Sequence, residues 1–209
     1  MKTSFVGACA AAIVVGAISL GATGALANTY NLDIDHCTGN CNNGTQPFGT
    51  VQVTQNGANL DFLVTLNGSY VFQKSTGLDA FNFGFSNNPG TPASVITMLS
   101  SGFSVVTTTG NHEDGFGNFQ FSIDKTATGG NSLSFRVLGE TLANLALSSG
   151  GSPSVLFAAD IFGNGNTGMV GGSTLVPGVP EPATWGMMLL GFAGLGFAFR
   201  QTRRKVSFA

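Results

Sequence analysis

Charge is scarce in this chain, and so are the side chains that move protons. Only 9% of its 209 residues are charged, and it holds two His, one Trp, two Tyr and three Cys. Two histidines leave thin acid–base machinery. There is no G-x-S-x-G elbow for a serine hydrolase and no H-E-x-x-H for a zinc peptidase. Bases are rarer still in the middle of the chain. Between positions 28 and 179, nine acids (Asp33, Asp35, Asp61, Asp79, Glu113, Asp114, Asp124, Glu140, Asp160) face three bases (Lys74, Lys125, Arg136), a net of −6. An acidic body of this kind repels phosphate backbones, so nucleic acid is not an expected partner. Low charge does not mean disorder here, because 18 Phe and 31 Gly supply apolar surface to bury and turns to fold it.

The two ends differ from the middle. The first 27 residues carry one charge, Lys2, run apolar and small through Leu20, and close on Ala25-Leu26-Ala27. Small side chains at Ala25 and Ala27 suit signal peptidase, so residues 1–27 read as a secretory signal cut after Ala27. At the other end, residues 183–199 are uncharged. As a helix they would extend about 25 Å, the short end of what spans a bilayer. Trp185 would mark the outer interface, and Arg200, Arg203, Arg204 and Lys205 would stay cytoplasmic. Lys2 is held inside as well, so two crossings place the body outside. Pro177, Pro180 and Pro182 between body and helix cannot continue a helix and lack ladder donors. Residues 176–182 are therefore expected to form an extended stalk, and 200–209 a basic cytoplasmic tail.

The order of Pro180-Glu181-Pro182, apolar helix and basic cluster resembles the PEP-CTERM proteins of Gram-negative bacteria, in the subgroup written Pro-Glu-Pro-x-x-Trp-Ala. Gly186 stands where that subgroup has Ala, and residues 206–209 extend past the basic cluster. The resemblance implies a substrate of exosortase, a membrane cysteine transpeptidase-like enzyme that reads Pro180, Glu181 and Pro182. It also implies transient residence in the inner membrane, then release or transfer to the outer surface or extracellular matrix, with a link to exopolysaccharide and biofilm. The stretches "CTGNCNNGTQPFGTVQVTQNGANLDFLVTL" and "FAADIFGNGNTGMVGG" are similar to a recurrent ectodomain of such sorted proteins, one without an assigned activity. Relatives often carry a second cysteine pair in the middle; this chain has none there.

Residues 28–175 have an apolar period of two. Leu60, Phe62, Val64 and Leu66 share a face, as do Phe81, Phe83 and Phe85, then Phe119, Phe121 and Ile123, then Leu133, Phe135 and Val137. Such alternation predicts half-buried antiparallel strands, and "VLFAADIF" a more fully buried one. Asn56-Gly57 and Asn67-Gly68 predict type I′ hairpin turns. The expected fold is an all-β antiparallel sandwich, jelly-roll-like, with one helix around 142–147 and no internal repeat.

Candidate chemistry in the body is sparse. Cys37 and Cys41, the only cysteines left after signal removal, are expected to form a small disulfide loop in an oxidising compartment. His36 beside them suggests a metal, but only distant His112 could join it, short of the usual four ligands. Residues 163–168 match G-x-G-x-x-G, yet no helix pattern follows, so a turn is expected rather than a dinucleotide site. Ser122 and Lys125 match S-x-x-K without that chemistry's other elements. Two oxygen-rich groups suit calcium weakly: Asn111, Glu113 and Asp114, and Asp160, Asn164 and Asn166. No cofactor, committed metal site or catalytic residue is expected. Two rivals to a non-enzymatic surface protein are a carbohydrate-binding module, poorly supplied with Trp and Tyr, and a matrix glycoside hydrolase using Glu113, Asp114 or Asp160.

Overall fold

The computed structural model describes residues 26–41, 46–75, 77–108, 111–176 and 182–203. These form β1 Ala27–Leu32, β2 Ile34–Thr38, β3 Gly49–Asn56, β4 Asn59–Leu66, β5 Val71–Phe72 and β6 Phe81–Phe83. A single helical turn, α1 Pro92–Val95, leads into β7 Ile96–Thr97. Then come β8 Phe103–Val105, β9 Asn111–Glu113, β10 Gly117–Phe119, β11 Phe121–Lys125 and β12 Ser132–Leu138. After a 3-10 turn at Leu142–Asn144, the chain continues through β13 Ser149–Gly150, β14 Phe157–Gly163, β15 Asn166–Gly172, β16 Thr174–Val176 and the terminal helix α2 Pro182–Arg203.

Every strand pairing is antiparallel. One sheet runs β16-β1-β3-β4-β12-β7, and the second runs β2-β15-β14-β6-β11-β8 with β5 beside β14. They face each other across a phenylalanine-rich core. Phe62 and Phe135 of the first sheet stand 5.3 and 5.2 Å from Phe83 of the second, and Tyr30 meets Phe157 at 5.2 Å. Scarce charge and plentiful Phe thus become one dry slab, the all-β sandwich that alternation predicts. A small third sheet, β13-β10-β9, covers part of the outer face of the second.

Several local expectations are corrected. "NFQFSI" is not one strand. Phe119 ends β10 and joins the cluster under the small sheet, while Phe121 begins β11 and enters the main core. Gln120 sits at the break, its Oε1 accepting from Phe85 N at 3.0 Å and its Nε2 donating to Asn87 O at 3.0 Å. The β3–β4 turn closes on Asn56 and Asn59, and of its central pair only Gly57 has positive φ (+60°). That is the sign pattern of a type II′ turn, which takes Gly first. The type I′ pattern occurs instead in the β14–β15 hairpin, where Asn164 (53°) and Gly165 (76°) are both positive. Asn67-Gly68 makes no hairpin; it carries the chain from β4 in one sheet to β5 in the other. The helix expected around 142–147 shortens to the 3-10 turn.

Candidate functional site

The ends of the body meet at one sheet edge. β1 pairs with β16 through Thr29↔Val176, Tyr30↔Leu175 and Asn31↔Thr174. Because the pairing is antiparallel, the chain leaving Val176 heads the same way that the chain entering at Ala27 came from. The chain therefore enters β1 and leaves β16 at the same pole of the body. Ala27 is the first residue of β1, opposite Thr54, and Gln55 N donates to Leu26 O at 2.8 Å. A cut after Ala27 trims this corner and leaves Asn28 to Leu32 in the ladder. Ala25 lies outside the described residues.

Residues 177–181, with Pro180 and Glu181, also lie outside them. Pro182 opens α2, and Trp185 and Arg203 belong to the helix. Arg200 is exposed, while Arg204 and Lys205 fall beyond the described residues. Met187, Met188, Leu189 and Leu190 are consecutive and all exposed, as are Phe192, Leu195 and Phe199. Four successive positions at about 100° each cover the full circumference, so over these side chains the helix is apolar and exposed all round. Side chains are described without interruption only over 186–196, a piece with four glycines. Among the described residues, no helix is long and apolar enough to cross a membrane.

At the far end of β2, Cys37 and Cys41 are joined by a disulfide with Cα atoms 5.6 Å apart. Cys41 is fully buried, and its carbonyl accepts from Tyr70 Oη at 3.0 Å. Asp35 Oδ1 accepts from Cys37 N at 2.8 Å. Asp35 and the two sulfurs lie within 4.8 Å of one another, but sulfurs bonded to each other are not thiolate ligands. His36 turns away to stack on Phe116, centroids 4.4 Å apart, and His112 sits opposite Asn118 in the small sheet. The two histidines do not form a site.

The calcium groups are redistributed. Asp160 is buried in the middle of β14, whereas Asn164 and Asn166 occupy the hairpin tip, at least about 10 Å further along the strand. Asn166 Nδ2 donates to Asn40 O at 3.1 Å, tying the tip to the disulfide loop. Asp160 does not join it. Likewise Asn111 and Glu113 point into the protein while Asp114 is exposed.

What the structure brings together is a polar compartment between the small sheet and the outer face of the second sheet. Its floor carries Asn82, Ser122 and Asp160, all 0% exposed; its cover supplies Glu113, 1% exposed, and Asn111. Ser75 and half-buried Asp79 close the side. Asn111 Nδ2 donates to Ser122 Oγ at 2.7 Å, and Ser122 Oγ donates to Asn82 Oδ1 at 2.5 Å. Asp79 N donates to Glu113 Oε1 at 3.3 Å, and Ser75 Oγ donates to Asp160 Oδ2. Glu113 Oε2 has no hydrogen bond of ordinary geometry, the Asn82 amide lying near. Nor has Asp160 Oδ1, the Thr167 hydroxyl lying near without a bond of ordinary geometry. Burial, helped by the charges of Asp79 and Asp160, pushes the Glu113 carboxyl up to about 8; burial pushes Asp160 to about 6 and raises Asp79.

Asp79, Asn82 and Ser75 carry no signal in the sequence. Asn82 lies between Phe81 and Phe83, Ser122 between Phe121 and Ile123, and Asp160 between Ala159 and Ile161. A polar residue alternating with apolar ones reads as solvent-facing, and only the covering sheet reveals otherwise.

The remaining motifs dissolve. Residues 163–168 are the β14–β15 hairpin and run into a strand. Ser122 and Lys125 sit on β11, where positions three apart face opposite ways, and Lys125 Nζ lies 3.8 Å over the Phe103 ring. Tyr30 and Tyr70 are buried at 7% and 1% exposure, so neither offers a sugar platform. A shallow groove of about 390 Å³ is lined by Phe85, Asn118, Gln120, Leu147 and Ser148 among others, with no carboxylate in its wall.

An all-β body whose two ends leave through one pole, the second passing through prolines into an apolar helix with a basic end, has the layout of an exported protein bearing a C-terminal sorting signal. The PEP-CTERM protein-sorting motif matches residues 178–205, so the chain carries that sorting motif at its C-terminal end. That motif implies processing by an exosortase on the way to the cell surface. No curated protein and no solved structure matches the chain.

Proposed function

We propose that this is a non-enzymatic exported protein, inserted in the inner membrane through residues 183–199 and cut by exosortase at or beside Pro180, Glu181 and Pro182. Trp185 anchors the outer interface; Arg200, Arg203, Arg204 and Lys205 hold the cytoplasmic end. Signal peptidase removes residues 1–27, and the body passes to the outer surface or matrix, in association with exopolysaccharide.

The observation that carries this reading is the sorting-motif match at residues 178–205. The β1–β16 pairing, which brings the two ends of the body to one edge, is compatible with both ends leading to one membrane face. The apolar side chains of α2 from Met187 to Leu195, exposed on every side, fit the same reading. Glycines dilute it and 17 uncharged residues are few, so the flanking arginines and Trp185 set its depth.

Intact mass of the protein recovered from the producing cells tests the proposal. The expected species lacks residues 1–27 and everything beyond the Pro-Glu-Pro segment, whereas Glu181→Ala leaves the tail attached. A mature wild-type protein that keeps its terminal helix would overturn the reading.

Binding of a surface sugar is a second reading, and the exposed Asn118 amide in the shallow groove is what favours it. Glycan-array binding of the mature protein, lost on Asn118→Ala with the fold intact, would support it. A matrix hydrolase finds less support, because Glu113 and Asp160 are enclosed and Asp114 stands apart on the surface.

A further inference from the structure

The compartment under the small sheet gathers three carboxyl groups and, among the described residues, encloses no base. Asp79 and Asp160 both act electrically on Glu113, and Asp124 adds to the field at Asp79 and Asp160. The ion pair at its margin, Lys74 Nζ to Asp124 Oδ2 at 3.6 Å, is spent on Asp124 and half exposed. Lys125 is engaged with the Phe103 ring. Glu113 Oε2 and Asp160 Oδ1, on side chains 1% and 0% exposed, are left without a hydrogen bond. Burying an unpaired carboxylate oxygen costs several kcal/mol unless something positive meets it.

We propose that this compartment is a site for a divalent cation of the calcium class, with Asp79, Glu113 and Asp160 as carboxylate ligands and the Asn82 side-chain amide beside them. The donor set is entirely oxygen. No imidazole or thiolate faces it, since His36 is stacked on Phe116 and both body cysteines are in the disulfide. Such a set selects calcium over zinc or copper, and its irregular spread over β6, β9, β14 and the loop residue Asp79 suits calcium's adaptable sphere better than magnesium's octahedron. The three carboxylates are not yet within one coordination sphere; among the described residues only Asp35, Cys37 and Cys41 bring three such atoms within 4.8 Å. Like charges without a cation spread apart. Glu113 has three rotatable side-chain bonds, and Asp79 is only half buried on a loop, so both can close on an ion that enters along the Asp79 side.

This grouping differs from both oxygen-rich groups visible in the sequence: it takes Glu113 from one, Asp160 from the other, and Asp79 and Asn82 from neither. It is also independent of the sorting signal. The ion would clamp the β9–β10 cover to the sheet beneath, so calcium outside the cell would set how firmly the body is closed.

The test uses the full chain in detergent, stripped with EDTA and followed by thermal unfolding at mildly alkaline pH in EDTA, millimolar CaCl2 or millimolar MgCl2, with calorimetric titration of CaCl2. Calcium is expected to raise Tm by several degrees, magnesium by less, with one calcium per chain. Asp160→Asn and Asp79→Asn should each weaken calcium binding about tenfold or more, and Asp114→Asn, altering an exposed neighbour, should leave it unchanged. If Asp160→Asn fails to fold, the half-buried Asp79→Asn decides alone. Equal Tm in EDTA and calcium, or a calcium shift that survives Asp79→Asn, would overturn the proposal.

Discussion

At the residue scale, the core rests on aromatic contacts that a single truncation exposes. Phe83 is fully buried and lies within 6 Å of Phe62, Phe81, Phe85, Phe121 and Phe135, spanning both sheets. Phe83→Ala should cost about 3–5 kcal/mol in urea unfolding, against less than about 0.5 kcal/mol for Leu63→Ala on the outer face. On that face Arg136 grips Asp61 with two bonds, Nε to Oδ1 at 2.5 Å and Nη2 to Oδ2 at 2.8 Å, between residues directly opposite in β12 and β4. The guanidinium holds the Asp61 carboxyl below its ordinary 3.8. A lowered folded-state value adds stability at pH above 3.8 that is lost as pH falls further. Arg136→Met should therefore lower Tm slightly at pH 7 and leave it unchanged at pH 2, read by scanning calorimetry. Wild-type and variant curves that stay parallel down to pH 2 would show that the pair contributes nothing.

At the scale of elements, strands were legible wherever one face met the main core. Leu60, Phe62, Val64 and Leu66 mark β4 without help, because a period of two has a single structural meaning when half the side chains are polar. The small sheet was not legible. Its β10 pairs with β13 some thirty residues further on, through two residues, Ser149 and Gly150, that carry no apolar signal. Without that cover, Asp160 and Glu113 look like loop oxygens, and the compartment that gathers them is invisible. Turns were half legible: Asn56-Gly57 marked the β3–β4 hairpin and its positive φ but not its turn type, and Asn67-Gly68 marked a hairpin that does not form. Gly165→Val should cost about 1–2 kcal/mol, because a β-branched residue must hold the left-handed conformation there, while Asn164→Gly should be nearly neutral. The disulfide is a second local restraint. With only five residues in its loop, Cys37→Ser with Cys41→Ser should lower stability by about 2 kcal/mol, measured against wild type with and without reductant.

At the scale of the molecule, the sorting signal was the most legible part, because prolines, an uncharged stretch and clustered arginines act through solvation and need no tertiary partner. The sequence shows where the sorting motif is; it does not show that both ends of the body share a pole, which depends on pairing between positions about 145 apart. If the basic cluster fixes orientation, deleting residues 203–205 should yield uncut or misoriented precursor, detected by intact mass and by protease access from the outside. Unchanged processing would remove that role from the arginines.

The β1–β16 edge also has a mechanical meaning. Force applied between the two ends of the body would load that ladder like a zipper, opening its three residue pairs in turn rather than shearing them together. A domain built this way yields easily when pulled by both termini, so it is suited to hang from one fixture and poorly suited to bear tension as a link in a chain.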